Sequence, residues 1–143
     1  APFGATDTAR RAALKQVEGN GSCMIVIATD APLSPRNLER TARRALHGMA
    51  RTGASMSNGS GDYVIAFSTA NGVRRSTTPG EHTFDDLANG SMSGLFEAAV
   101  ESTEEAVYNS LLKATTVTSN GRTVEALPLD ETIEILRRYR AIR

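Results

Sequence analysis

The sequence predicts a mixed α and β fold in which long helices pack on a sheet. Two short runs, Cys23–Thr29 and Tyr63–Thr69, are rich in the apolar and β-branched residues of strands. Two longer stretches, which begin near Ser34 and Ser93, place apolar residues at helical spacing. The 143 residues are most simply one domain with a single core.

The first half alternates helix, strand and helix. The spacing of alanines predicts a short helix over Asp7–Val17, which "EGNGS" ends. Cys23–Thr29 follows as a continuous apolar run, a pattern typical of a strand covered on both faces. Ser34 is predicted to cap the next helix, with Pro35 at its first position because the N–H that proline lacks has no partner there. The arginines of this helix are interpreted as a solvated face.

The second half begins with the strand Tyr63–Thr69 and a turn at Asn71-Gly72, followed by a polar excursion. Ser93–Ala114 is predicted to be a long helix with a wide apolar stripe. "TSNGRTVEALP" predicts a turn followed by a short strand, and Asp130 is predicted to cap a closing helix.

Composition limits the possible functions. Sixteen basic residues balance sixteen acidic ones, which argues against a protein that grips nucleic-acid phosphates. No apolar run reaches the length of a membrane span. Cys23 is the one cysteine, so an intrachain disulfide framework and a cysteine-rich zinc site are excluded and the compartment stays open. The chain does not begin with methionine and shows no signal-peptide core, so we expect a fragment or a processed product.

Most of the groups that could do chemistry lack suitable partners. His47 and His82 show no metal-ligand spacing, and there is no G-x-S-x-G motif to pair a serine with a histidine. The carboxylate pairs Asp85-Asp86 and Glu104-Glu105 are adjacent in sequence, so their side chains should point apart. We therefore expect neither a metal nor a cofactor.

One constellation remains at the predicted starts of the two strands. Ser22 precedes the first strand, and Ser60 and Asp62 alternate across a glycine before the second. The strand period of two would place Ser60 and Asp62 on one face, and neighbouring strands would bring Ser22 to them. The alternative is a glycine-rich turn whose Ser and Asp bond their own backbone, and the pattern alone favours it.

A family resemblance favours the cluster of Ser22, Ser60 and Asp62 over the glycine-rich turn. "GS" followed by "CMIVIATDAPLSP", an arginine-rich helix ending in "RTGAS", and then "NGSGDYVIAFSTAN" resemble the L-aminopeptidase/D-esterase-amidase (β-aminopeptidase) family. The likeness continues through "FEAAVESTEEAVYNSLLKATTV" and "LPLDETIEILRRY", and so runs in order from Ser22 to Arg143. Within that family the chain resembles the C-terminal, catalytic portion.

The resemblance implies a self-processing hydrolase with an N-terminal serine nucleophile. Cleavage would fall between Gly21 and Ser22, so residues 1–21 would precede the cleavage site and 22–143 would form the catalytic region. Ser22 would be the nucleophile, assisted by Ser60 and Asp62; some relatives have Glu at the last position. The implied fold is an αββα layered sandwich similar to the N-terminal nucleophile hydrolases, to which this chain contributes part.

The implied reaction releases N-terminal residues from short peptides, amides or esters through an acyl-enzyme on Ser22. The new α-amine of Ser22 could act as base, because an α-amino group loses its proton at lower pH than a lysine side chain. The implied partners are a larger N-terminal subunit of the same precursor, which would supply oxyanion-hole and pocket groups, and further two-chain protomers in a homo-oligomer. Neither nucleic acid nor membrane is expected.

Two alternatives stay open. The ornithine acetyltransferase family has a related fold and self-cleavage, but its nucleophile is threonine, and Ser22 argues against it. A non-catalytic α/β binding module would leave Ser22 and Ser60 as ordinary loop residues. Substrate stereochemistry and the choice between α- and β-amino acids are left undecided by the sequence.

Overall fold

The computed structural model describes residues 21–143, so the helix predicted over Asp7–Val17 lies outside the described residues. The elements follow in the order β1 (Met24–Thr29), α1 (Pro35–Arg51), β2 (Tyr63–Ser68), α2 (Met92–Leu112), β3 (Val117–Ser119), β4 (Arg122–Val124) and α3 (Leu129–Arg138), with single 3₁₀ turns at Asn71–Val73 and Asn89–Ser91. The predicted mixture of long helices and short strands is confirmed.

β1 and β2 are parallel neighbours joined by the α1 crossover. Their register pairs Met24 with Tyr63 and Thr29 with Ser68, without offset. Because parallel strands that are in register begin at the same edge of a sheet, the segments that precede β1 and β2 lie side by side. This arrangement positions the candidate site.

The start of α1 follows the prediction. Ser34 is the N-cap, and its hydroxyl accepts a hydrogen bond from the backbone N–H of Asn37 at 3.3 Å. Pro35 occupies the first helical position, where its missing N–H leaves no bond unmade.

The polar segment that follows β2 returns to this helix start. Asp86 Oδ1 accepts hydrogen bonds from the Ser34 backbone N–H at 2.8 Å and from the Asn37 side-chain amide at 2.9 Å. These bonds favour the ionised form, so they lower the pKa of Asp86 below its ordinary 3.8. Leu87 N–H also donates to Pro32 O at 2.9 Å. The C-terminal end of this polar segment is therefore hydrogen-bonded to the start of α1.

The core lies mainly where α1 crosses α2. Ala45 and Ala99 are buried there. Gly48 allows close approach, because a Cβ at that position would lie 2.3 Å from Val100 O. Arg40 and Arg44 place their guanidinium groups 5.0 and 4.5 Å from the centre of the Phe96 ring. The arginines predicted to form a solvated face thus include two that pack on an aromatic ring.

One face of the β1–β2 sheet is uncovered by the described residues. We call it the open sheet face; its large side chains, 44% to 65% exposed, are Met24, Val26, Tyr63, Ile65 and Phe67. The alternate residues of both strands are half-buried on the helix side. Among residues 21–143 the prediction of a strand covered on both faces is therefore met on one face only. Apolar patches of this kind on a folded protein usually mark an interface.

The C-terminal part adds a hairpin and a helix. Asn120 and Gly121 both have positive φ, +50° and +72°, as the tight turn between β3 and β4 requires. The predicted turn and strand are confirmed, and β3 is an additional strand before them. The predicted cap is wrong: the N-cap is Pro128, two residues before Asp130, and α3 begins at Leu129. Asp130 lies in the first turn instead, where its charge suits the helix dipole.

Candidate functional site at the start of the two strands

The start of β1 is held by Asp62, which immediately precedes β2. The N–H of Tyr63 donates to Cys23 O at 3.0 Å, and the N–H of Cys23 donates to Asp62 Oδ1 at 2.9 Å. A side-chain carboxylate thus takes the place that a backbone carbonyl would fill in the ladder. Asp62 is half-buried, so this bond is partly shielded from water.

The second oxygen of Asp62 faces Ser60. Ser60 Oγ lies 2.7 Å from Asp62 Oδ2 and 2.9 Å from the carbonyl oxygen of Gly21. One hydroxyl hydrogen serves these two acceptors in turn or is shared between them. The backbone of Ser60 is fixed by a turn, since its N–H donates to Ser57 O at 2.8 Å. Ser60 therefore connects a carboxylate to the peptide group between Gly21 and Ser22.

Ser22 completes the group. Its Oγ accepts a hydrogen bond from the backbone N–H of Gly61 at 3.1 Å. Ser22 is exposed, so its hydroxyl can be reached from solvent. The Ser22 hydroxyl thus bonds the residue between Ser60 and Asp62, which form the other two members of the predicted site.

The predicted meeting of Ser22, Ser60 and Asp62 at neighbouring strand starts is what the structure shows. The turn alternative also describes part of the geometry, because Ser60 bonds within its own loop. Two contacts were not foreseen, namely those of the Gly21 carbonyl and the Gly61 amide. The position of Gly61 between two polar residues is the sequence feature that could have indicated the contact of its amide. No sequence feature indicates the contact of the Gly21 carbonyl.

The other candidate groups are dispersed, as predicted. His47 is exposed on α1, and His82 Nε2 lies 2.7 Å from the backbone oxygen of Thr78 in a loop. Asp85 lies against Gly72, whereas Asp86 faces α1. Across residues 21–143 no three His, Cys, Asp or Glu side chains form a group able to hold a metal ion. No helix in that range is long and apolar enough to cross a membrane.

A groove of about 430 Å³ lies along β1 beside α2. Its walls are largely apolar and include Ile25 and Ile27 from the strand and Ala106 and Val107 from the helix. β1 pairs with β2 on one side. Within the described residues, α2 therefore overhangs a strand edge to which no further strand is added.

Comparison with known proteins identifies the class. The chain is similar to the L-aminopeptidase D-Ala-esterase/amidase of Ochrobactrum anthropi, described as a prototype for serine aminopeptidases with a variant of the Ntn hydrolase fold. The TM-score is 0.74 at 33% identity, over 88% of this chain and 38% of that one. The PH0078 protein of Pyrococcus horikoshii OT3 gives a TM-score of 0.73 at 44% identity, over 81% and 33% of the two chains. The fold is that of the Ntn hydrolase class.

The sequence comparisons define the family. Residues 2–124 match the model of peptidase family S58. The chain is 45% identical over 125 residues to the beta-peptidyl aminopeptidase BapA of Sphingosinicella microcystinivorans, covering 87% of this chain and 32% of the relative. The corresponding protein of Sphingosinicella xenopeptidilytica is 38% identical over 122 residues, covering 84% and 30%. The chain belongs to peptidase family S58, as its motifs suggested.

The family match begins at residue 2 and so includes the segment before Ser22, which the motifs did not cover. It ends at residue 124, before α3. The chain spans about a third of the length of the curated relatives it matches.

Proposed function

We propose that this chain is the catalytic part of a self-processing serine aminopeptidase that releases N-terminal residues from short peptides, amides or esters. The observation that carries the proposal is the set of hydrogen bonds around the Gly21–Ser22 peptide group: Ser60 Oγ to Gly21 O and to Asp62, and the Gly61 N–H to Ser22 Oγ. Membership of peptidase family S58 supports the same reaction class.

The first reaction is cleavage of the chain itself. Ser22 Oγ attacks the carbonyl carbon of Gly21; the new C–O bond forms, the C–N bond breaks, and the hydroxyl proton ends on the freed nitrogen. Ser60 Oγ, 2.9 Å from Gly21 O, donates to the oxygen on which charge develops. Water then hydrolyses the ester, leaving a carboxylate on Gly21 and a free amine on Ser22.

The second reaction is turnover of substrate. The free α-amine of Ser22 accepts the hydroxyl proton, directly or through Ser60. Asp62, 2.7 Å from Ser60 Oγ, orients that hydroxyl and stabilises the ammonium formed. The acyl-enzyme on Ser22 releases its acyl group to water. Among the described residues no histidine hydrogen-bonds to the cluster, so the free amine is the proposed base.

The proposed partner is the larger N-terminal portion of the same precursor. It would cover the open sheet face, extend the sheet along the groove beside β1, and supply the remaining oxyanion-hole and pocket groups. The second sheet of the αββα sandwich would come from that portion, and the two-chain protomers would assemble into a homo-oligomer.

The relatives indicate which substrates to test. Two are named beta-peptidyl aminopeptidases, and one is named an L-aminopeptidase D-Ala-esterase/amidase. We propose substrates with a free amino terminus, and comparison of β-amino-acyl, L-alanyl and D-alanyl anilides and esters would identify the preferred class.

Intact mass and N-terminal sequencing of the purified full-length protein test the proposal. We expect one chain that begins at Ser22 beside a larger partner, and loss of both cleavage and hydrolysis in Ser22→Ala. Ser55→Ala, an exposed serine in the loop before β2, is the matched control and should behave as wild type. A Gly21–Ser22 bond that stays intact in wild-type protein would remove the base and overturn the proposal.

A further inference from the structure

Gly61 lies between Ser60 and Asp62, and two of its properties act on Ser22. Its N–H donates to Ser22 Oγ at 3.1 Å. The donor belongs to the backbone, and the next residues are tied to β1 by the bonds between Asp62, Tyr63 and Cys23. The N–H therefore has a fixed position relative to the strand that carries Ser22. A fixed donor favours one side-chain rotamer of Ser22 and stabilises negative charge on Oγ as its proton leaves.

The second property is the missing side chain. A Cβ on Gly61 would lie 3.2 Å from Ser22 Oγ, while the next nearest atoms, in the Tyr63 ring and at Ser22 Cβ, would be 3.7 and 3.9 Å away. The first distance is tighter than ordinary packing, and the other two are normal van der Waals contacts. The crowding would thus fall on the serine hydroxyl alone.

A left-handed backbone does not explain this glycine. The described glycines with positive φ are Gly53, Gly80 and Gly121; Gly61 is not among them, so its φ does not call for glycine. The close approach of Ser22 Oγ is the feature that favours glycine at position 61.

We propose that Gly61 is a positioning residue: its N–H holds the Ser22 hydroxyl in the reactive rotamer, and its lack of a Cβ leaves that hydroxyl room to reach the acyl carbon. This role rests on the proposed function of Ser22 as nucleophile. It predicts that a single methyl group at position 61 slows the chemistry while the fold and substrate binding stay intact.

Gly61→Ala in the full-length protein is the test. Misplacing a reacting atom by about 1 Å can cost about 100-fold in rate, which sets the upper bound here: we expect kcat to fall about 10- to 100-fold with KM within about twofold of wild type. Labelling of Ser22 by a sulfonyl fluoride, followed by mass spectrometry, should slow by a similar factor. Gly90→Ala is the matched control, since a Cβ there would meet nothing within 4 Å.

The outcomes separate this inference from the proposed function. If wild-type protein neither cleaves itself nor is labelled at Ser22 by the sulfonyl fluoride, the proposed function is wrong. Wild-type activity retained in Gly61→Ala would overturn the role of Gly61 alone. If Gly61→Ala fails to fold, the double variant Gly61→Ala/Ser22→Ala tests the inference, because removing Ser22 Oγ removes the predicted clash. A double variant that folds supports the inference. A double variant that remains unfolded assigns Gly61 a purely structural role.

Discussion

The carboxylate of Asp62 accepts a hydrogen bond from the backbone N–H of Cys23 at 2.9 Å, across the starts of the two parallel strands. Its other oxygen lies 2.7 Å from Ser60 Oγ. One carboxylate therefore both fixes the first residues of β1 and contacts the group that we propose for proton transfer. Ser22, the residue before Cys23, is positioned by the same bond.

The two oxygens of Asp62 can be separated by substitution. Asp62→Asn keeps an oxygen for the Cys23 N–H but replaces the charged acceptor that faces Ser60, so we expect the melting temperature to stay near wild type while kcat falls at least about 100-fold. Asp62→Ala loses both contacts and should also lower the free energy of unfolding by about 1–3 kcal/mol. Thermal melts and single-substrate kinetics on full-length protein measure the two effects; equal activity in Asp62→Asn and wild type would contradict the assignment.

The meeting of Ser22, Ser60 and Asp62 was only partly predictable from the residues. Alternation along an extended chain and pairing of neighbouring parallel strands allow it, but the pattern alone favours a glycine-rich turn, and the family resemblance decides for the cluster. Ser60 and Asp62 in fact precede β2, which begins at Tyr63. The Gly21 carbonyl was not predictable, since its position depends on how the chain enters β1 rather than on residue type.

The errors in the fold have tertiary causes. Cys23–Thr29 was predicted to be covered on both faces because it is apolar throughout, yet the helices that the structure describes cover one face. A sequence pattern reports that a face avoids water without saying which chain covers it. Likewise, Arg40 and Arg44 look like surface residues by charge, and only the fold reveals that Phe96 lies beneath them.

The contact between α1 and α2 depends on Gly48. A Cβ there would lie 2.3 Å from Val100 O and 2.8 Å from Thr103 Cβ, both in the facing helix. Gly48→Ala should therefore force the helices apart and lower the free energy of unfolding by about 1–3 kcal/mol, as measured by urea denaturation. Gly94→Ala is the matched control: it lies in α2 with open space around it and should raise stability by up to about 1 kcal/mol. Equal effects of the two changes would contradict close helix packing at Gly48.

The hydrogen bonds at Asp86 predict a dependence of stability on acid. Bonds from Ser34 and Asn37 lower the pKa of Asp86 in the folded state, so the unfolded chain takes up the proton first as the pH falls. The stabilisation is complete above the ordinary value of 3.8 and is lost as the pH falls through the lowered pKa. Melting temperatures of wild type and Asp86→Asn should thus converge between about pH 5 and pH 2, because the variant has no charge to lose. A constant difference across that range would show that Asp86 does not stabilise the fold through its charge.

The open sheet face predicts where the rest of the precursor binds. Val26 and Ile65 are cross-strand partners at its centre. A lysine at position 65 would place an ammonium group in a covered, apolar interface, which costs several kcal/mol, so Ile65→Lys should prevent the two chains from co-purifying and abolish hydrolysis. Size-exclusion chromatography with light scattering measures the assembly. Val124→Lys, an equally apolar but separate position that is 72% exposed in the β3–β4 hairpin, is the control. An assembly of unchanged mass in Ile65→Lys would mean that this face stays in water in the mature protein, and the two-sheet sandwich would then be wrong.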